Sequence, residues 1–187
     1  MKKHLITNAI LGMIIGIISG GNIFAQPQPS PQIQAATQLV RAQKWTEAVT
    51  ALEEITKSEP NNGRAWFLLG NSYHQLGKYE KAAEAYEKNI PISNNPTAMY
   101  NLACAYSRLK RTDKAFEWLE KSITSGNGFG LNPAADEDLI NLKTDARFHK
   151  ILEMLDRKTK PCKYSAESRQ FDFWIGEWDV FNLANQK

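Results

Sequence analysis

Cysteine and histidine are scarce. The 187 residues hold two cysteines, Cys104 and Cys162, and three histidines, His4, His74 and His149. Two thiols cannot build a disulfide scaffold or a four-cysteine zinc site. The histidines stand on separate stretches with no H-E-x-x-H among them, so no metal site is expected. There is no G-x-S-x-G and no phosphate-binding glycine loop; Gly126–Gly130 (GNGFG) neither follows a strand nor opens a helix and reads as a connection. Nor is there an excess of charge. Lys plus Arg number 23 against 20 Asp plus Glu, a formal +3, and without Lys2 and Lys3 the balance is 21 against 20, or +1. No basic block is interleaved with aromatics, so a nucleic-acid partner is not expected. No residue stands out as a catalyst, and no cofactor is implied.

What remains is an ordinary globular composition, 42% hydrophobic and 23% charged, behind an unusual start. Residues 1–25 begin with Lys2 and Lys3, continue through the apolar Ile10–Ile18 and end at Ile23-Phe24-Ala25. That is the order of an export signal peptide with cleavage after Ala25, and Leu5–Ile18 is short for a membrane span. The protein is therefore expected to be exported, periplasmic or secreted, with no membrane contact after cleavage. Gln26–Gln32 (QPQPSPQ) reads as an extended Pro/Gln-rich spacer.

Two stretches then repeat. In Ala65–Ile90, Trp66, Leu69, Gly70 and Tyr73 share one helical face, and Tyr79, Ala82, Ala83 and Tyr86 share another beyond Gly77. Ala98–Ile123 carries Met99, Leu102, Ala103, Tyr106, Ala115 and Leu119 in the corresponding columns, 33 residues on. Lys44–Ile55 supplies Trp45, Ala48 and Leu52 for Tyr79, Ala82 and Tyr86, 34 residues upstream. Three units follow, at 33–59, 63–92 and 96–125. Their turns hold Gln43, Gly77 and Lys110, and a turn without glycine is expected to be strained or wider. Trp66 is expected to anchor the stack, at a cost of about 3–5 kcal/mol if truncated.

A 33–34-residue period with W-x-x-L-G-x-x-Y followed by Ala and an aromatic resembles the tetratricopeptide repeat, a helix–turn–helix unit. The resemblance implies an all-α, three-unit helical solenoid. Residues 134–158 read as its C-terminal cap: a short turn at Asp138–Leu142, then a helix with the stripe Phe148, Ile151, Leu152, Leu155, started by Thr144 or Asp145. Asp136-Glu137-Asp138 reads as charge at a helix start.

Residues 159–187 change character. Phe171, Phe173, Trp174, Trp178 and Phe181 crowd together, and Glu177–Leu183 alternates as a strand does. The string F-D-F-W-x-G-x-W-D-V resembles the opening of an exported calycin- or lipocalin-like barrel domain. Read so, the tail is a linker and the truncated start of a barrel, since one strand is not stable alone; the alternative is a strand docked on the repeats or on a partner.

In tetratricopeptide repeats the free face of each first helix lines a concave groove that takes a protein or peptide. The resemblance carries that role to Arg64, Phe67, Asn71, His74 and Gln75 in unit two. In unit three it falls on Thr97, Tyr100, Cys104, Ser107 and Arg108, and more weakly on Ile33, Thr37 and Arg41 in unit one. Ile33, Leu68 and Asn101 stand where the chaperone-clamping version of the repeat would place Lys, Asn and Arg, so that role is not implied. Export leaves a Cys104–Cys162 disulfide chemically open; the alternative is that Cys104 is a small packed thiol in the groove. The function expected is a non-enzymatic docking scaffold. The alternative is a repeat appendage to a small-molecule-binding barrel, or to an enzyme, that continues past Lys187.

Overall fold

The computed structural model describes residues 30–126, 128 and 130–164, the side chain of Cys162 excepted. The stretches read as signal peptide and as the start of a barrel, and most of the spacer, fall outside them. Six helices pair and stack: α1 (Pro31–Arg41) with α2 (Trp45–Ser58), α3 (Gly63–Gln75) with α4 (Tyr79–Ser93), and α5 (Pro96–Arg108) with α6 (Thr112–Ser125). A six-residue 3-10 segment, Glu137–Leu142, leads into α7 (Ala146–Thr159), and a short α8 (Pro161–Tyr164) follows. Every element among the described residues is helical, and none is long and apolar enough to cross a membrane.

Starts and stops follow from local chemistry. Asn62, Asn95 and Asp145 cap α3, α5 and α7 by accepting backbone N–H bonds from Ala65, Thr97 and Arg147 at 2.9–3.0 Å. Ser30 caps α1 and Pro31 occupies its first turn, so the helix opens two residues inside the stretch read as spacer. Each hairpin turns through one left-handed residue: Gln43 (φ 57°), Gly77 (φ 69°) and Lys110 (φ 58°). Gly77 N–H donates to the His74 carbonyl and Lys78 N–H to Tyr73, both at 2.9 Å; the same pair of bonds closes the turns at Gln43–Lys44 and Lys110–Arg111. Turns without glycine are thus no wider. They carry the strain instead, about 1–2 kcal/mol for a side chain held in that region.

The hairpins lie side by side. Contacts link α2 to α3 and α4 to α5, while the first helices α1, α3 and α5 touch in sequence along one side. Ala48, Leu52, Ala82, Tyr86, Ala115 and Leu119 are buried, in the columns expected. Gly70 meets Tyr86 so closely that a Cβ there would lie 2.5 Å from the ring. One bond recurs at each junction: Tyr73 donates to Glu53 of the preceding unit, and Tyr106 donates to Glu87. Trp66 differs from expectation. It is only half-buried, at the rim, with its indole N–H on the Pro60 carbonyl at 2.8 Å, while Met99 in the same column of unit three is 4% exposed.

The cap acts in two parts. Asp145 rather than Thr144 starts α7, which buries Phe148, Ile151 and Leu155 and packs on α6. The 3-10 segment packs on α5, where Leu139 and Leu142 are both 0% exposed. Burying two leucines is worth about 1.5–3 kcal/mol each. That is why a segment this short keeps one position, and the position lies across the mouth of the groove.

Candidate functional site

The concave face is built by α3 and α5, whose register is set by the Asn62 and Asn95 caps and the stacked Leu69 and Leu102. On α3 it presents Arg64, Phe67, Asn71, His74 and Gln75, three and four residues apart. On α5 it presents Tyr100, Cys104, Ser107 and Arg108. The structure brings Asn71, His74, Gln75, Tyr100 and Cys104 together around a cleft of ≈ 140 Å³, with Tyr86, Asn101, Asp136 and Asp138. Arg64 stands apart on the exposed rim, donating to the Thr37 hydroxyl at 3.4 Å. Phe67 is half-buried, its ring 6.3 Å from that of Tyr86. Ile33 is not a groove residue: at 2% exposed it belongs to the core.

The cleft is narrow because the chain fills it. Asp136 accepts from the Tyr100 hydroxyl at 2.8 Å and faces the Cys104 sulfur at 3.7 Å. Asp138 lies 2.7 Å from His74 Nε2 and 3.7 Å from Arg108 Nε. Arg108 is steadied in turn by Tyr79, donating to its hydroxyl at 3.1 Å, and the His74 ring meets Tyr79 edge-on. Asn141 donates to the Ser107 carbonyl at 3.1 Å, and Ser107 is wholly covered. On the floor, Asn71 Oδ1 accepts from both the Tyr86 hydroxyl (2.7 Å) and Asn101 Nδ2 (3.0 Å).

Electrostatics follow from this arrangement. The hydrogen bond from His74, with Arg108 nearby, holds the Asp138 carboxyl below its ordinary 3.8 against the opposing effect of burial. Burial first, then Asp136 and Asp138, push the Cys104 thiol far up. Burial also raises Tyr100, helped by Cys104 and Asp136. Cys104 is therefore a buried, protonated thiol and a poor nucleophile. Its sulfur faces Asp136 under the 3-10 segment, as a small packed thiol would; the Cys162 side chain, which the sequence leaves open as a disulfide partner, lies outside the described residues. Cys104, Asp136 and Asp138 place donor atoms within 4.8 Å of one another, the kind of set that can take a cation. Both carboxylates already have protein partners. What the site does chemically is recognise paired carboxylates with a phenol, an imidazole and a guanidinium.

Sequence reasoning missed Asp136 and Asp138 as groove occupants. Asp136 does cap the 3-10 segment, accepting from Asp138 N–H at 2.9 Å, as charge at a helix start should. The missing information is that this helix start points into the groove. Three groove donors, His74, Tyr100 and Arg108, facing a downstream D-x-D were the available signal.

The architecture is that of a helical-hairpin repeat solenoid. The tetratricopeptide repeat family matches residues 33–94 and again 64–125, so residues 33–125 are tetratricopeptide repeats. Solved structures agree on the fold. MamA residues 41-end from Desulfovibrio magneticus RS-1 superposes with a TM-score of 0.57 at 20% identity, over 74% of this chain and 78% of that one. PcrH in complex with the chaperone binding region of PopD gives 0.50 at 20% identity, over 70% and 90%. The first repeat domain of Spaghetti (RPAP3) bound to the HSP90 peptide SRMEEVD gives 0.50 at 14% identity, over 66% and 90%.

Proposed function

We propose that this protein is an exported, non-enzymatic docking scaffold that holds an extended segment of a protein partner along its concave face. The observation that carries the reading is that this face already holds a peptide segment. Asp136–Asp138 is bound side chain to side chain by His74, Tyr100 and Arg108, drawn from two helices of different repeats. Among structures of the same fold, PcrH was solved with a region of PopD and RPAP3 with an HSP90 peptide, so hairpin stacks of this kind do hold protein segments. The unit-two rim, with Arg64 exposed and Phe67 half-buried, is the part of the face left open here.

Two measurements test the two halves of the reading. The mature protein's first residue, read by N-terminal sequencing after expression in a bacterial host, is expected to be Gln26; an N-terminus retaining the leader counts against export. A photo-crosslinking amino acid in place of Phe67 is expected to give a discrete adduct with an exported protein, and Arg64→Ala is expected to weaken it. An adduct as strong when the crosslinker is moved to the exposed Glu120 of α6 would show that the groove is not the docking face.

A further inference from the structure

Resting on the docking reading, we infer that Asp136–Asp138 is a ligand in cis. It fills the groove as a partner would, and the partner it stands in for is an acidic segment with carboxylates two residues apart. The argument is one of division of labour within six residues. Leu139 and Leu142, fully buried against the repeats, hold the segment in place. Asp136 also caps the segment through one oxygen, a task that needs an acceptor but no charge, yet both carboxylates are turned inward onto Tyr100, Cys104, His74 and Arg108. Ile140, by contrast, leaves a large side chain 58% exposed. A purely structural plug would more cheaply put apolar groups inward, because carboxylates taken out of water must be matched by donors. Here the donors are supplied by two separate repeats, in the columns that face a groove ligand.

A tethered ligand competes at an effective concentration in the millimolar range. A free acidic segment therefore binds the parent protein with an affinity reduced by the fraction of time the cis segment is in place. Partners of micromolar intrinsic affinity would be held off, and only those that also use the open rim at Arg64 and Phe67 would displace it. The groove is thus selective as well as occupied.

The test uses the mature full chain and a fluorescent peptide copying residues 132–143. In the variant Asp136→Asn with Asp138→Asn, the asparagine at 136 keeps the capping acceptor and both leucines stay in place, while the carboxylates are gone. Fluorescence anisotropy is expected to show the probe binding this variant at least tenfold more tightly than the parent. Adding His74→Ala and Arg108→Ala is expected to abolish that binding, and a probe with both aspartates changed to asparagine is expected not to bind. Equal affinity for parent and variant, no binding to the folded variant, or binding indifferent to His74 and Arg108 would overturn the inference. Should the variant lose its helical circular dichroism, hydrogen exchange on the parent decides: saturating probe is expected to speed exchange of amides 137–142 at least tenfold, and unchanged exchange overturns the proposal. If these fail while the Phe67 crosslink stands, the docking reading survives without the cis ligand.

Discussion

Units two and three share a sequence pattern but not an environment. In α3 the buried residues are Ala65, Leu69, Gly70, Ser72 and Tyr73, one face of a helix. In α5 they are Ala98 to Tyr100 and Leu102 to Ser107, most of its circumference. Nothing in the repeat itself explains this, since the columns match. The neighbours do: α5 has the 3-10 segment across its concave side, whereas α3 meets that segment through His74 and keeps Arg64 and Phe67 open. A repeat therefore specifies which residues can be buried, and its position in the stack decides which are.

The sharpest way to break this comparison is the Trp66/Met99 column. Pattern alone ranks the tryptophan as the anchor, whereas burial ranks the methionine first. Met99→Ala is expected to cost about 2–5 kcal/mol, as large-to-small changes in cores do. Trp66→Ala forfeits one hydrogen bond and partial burial, about 1–2 kcal/mol. Urea unfolding of the two variants checks the order; equal losses would restore Trp66 as a core residue. A second contrast is Gly70 facing Tyr86 against the buried Ala103 and Leu119 in the same columns of unit three. Gly70→Ala drives a methyl into the Tyr86 ring and is expected to destabilise by about 1–3 kcal/mol, despite alanine's better helix propensity. Adding Tyr86→Leu recreates the unit-three pairing and should recover part of the loss in melting temperature, since Asn71 keeps Asn101 as a partner. No recovery would mean the two columns are not equivalent.

The smallest effect belongs to Asp138. Its folded carboxyl titrates below the ordinary 3.8, so its stabilising contribution is complete above that value and disappears as the pH falls through the lower folded one. The stability difference between the parent and Asp138→Asn, about 1 kcal/mol for a partly exposed pair, is expected to be flat just above pH 4 and to shrink toward zero below it. A difference that instead grows on acidification would put the carboxylate in an unfavourable site.

Much of the architecture was legible because it is periodic. The spacing of Leu69, Tyr73, Ala82 and Tyr86, and their recurrence as Leu102, Tyr106, Ala115 and Leu119, gave the hairpins, their boundaries to within a few residues and most of the core. The groove columns Asn71, His74, Gln75, Tyr100 and Cys104 also came together as the repeat implies. What escaped was aperiodic. That α1 begins at Pro31 depends on one cap. That Ser107 and Cys104 are covered, and that Asp136 and Asp138 reach back to His74, are contacts between positions 32 to 64 residues apart, and no local pattern encodes them.

The Tyr73–Glu53 and Tyr106–Glu87 bonds have a wider consequence. Each one gauges a single hairpin against its predecessor, and Leu39, in the same column of unit one, has no earlier hairpin to gauge among the described residues. Curvature is therefore written one step at a time, with no residue needing knowledge of the whole arc. A chain constructed in this manner can gain or lose a step without redrawing the others, and its reach can be adjusted while the chemistry of its inner surface stays as it is.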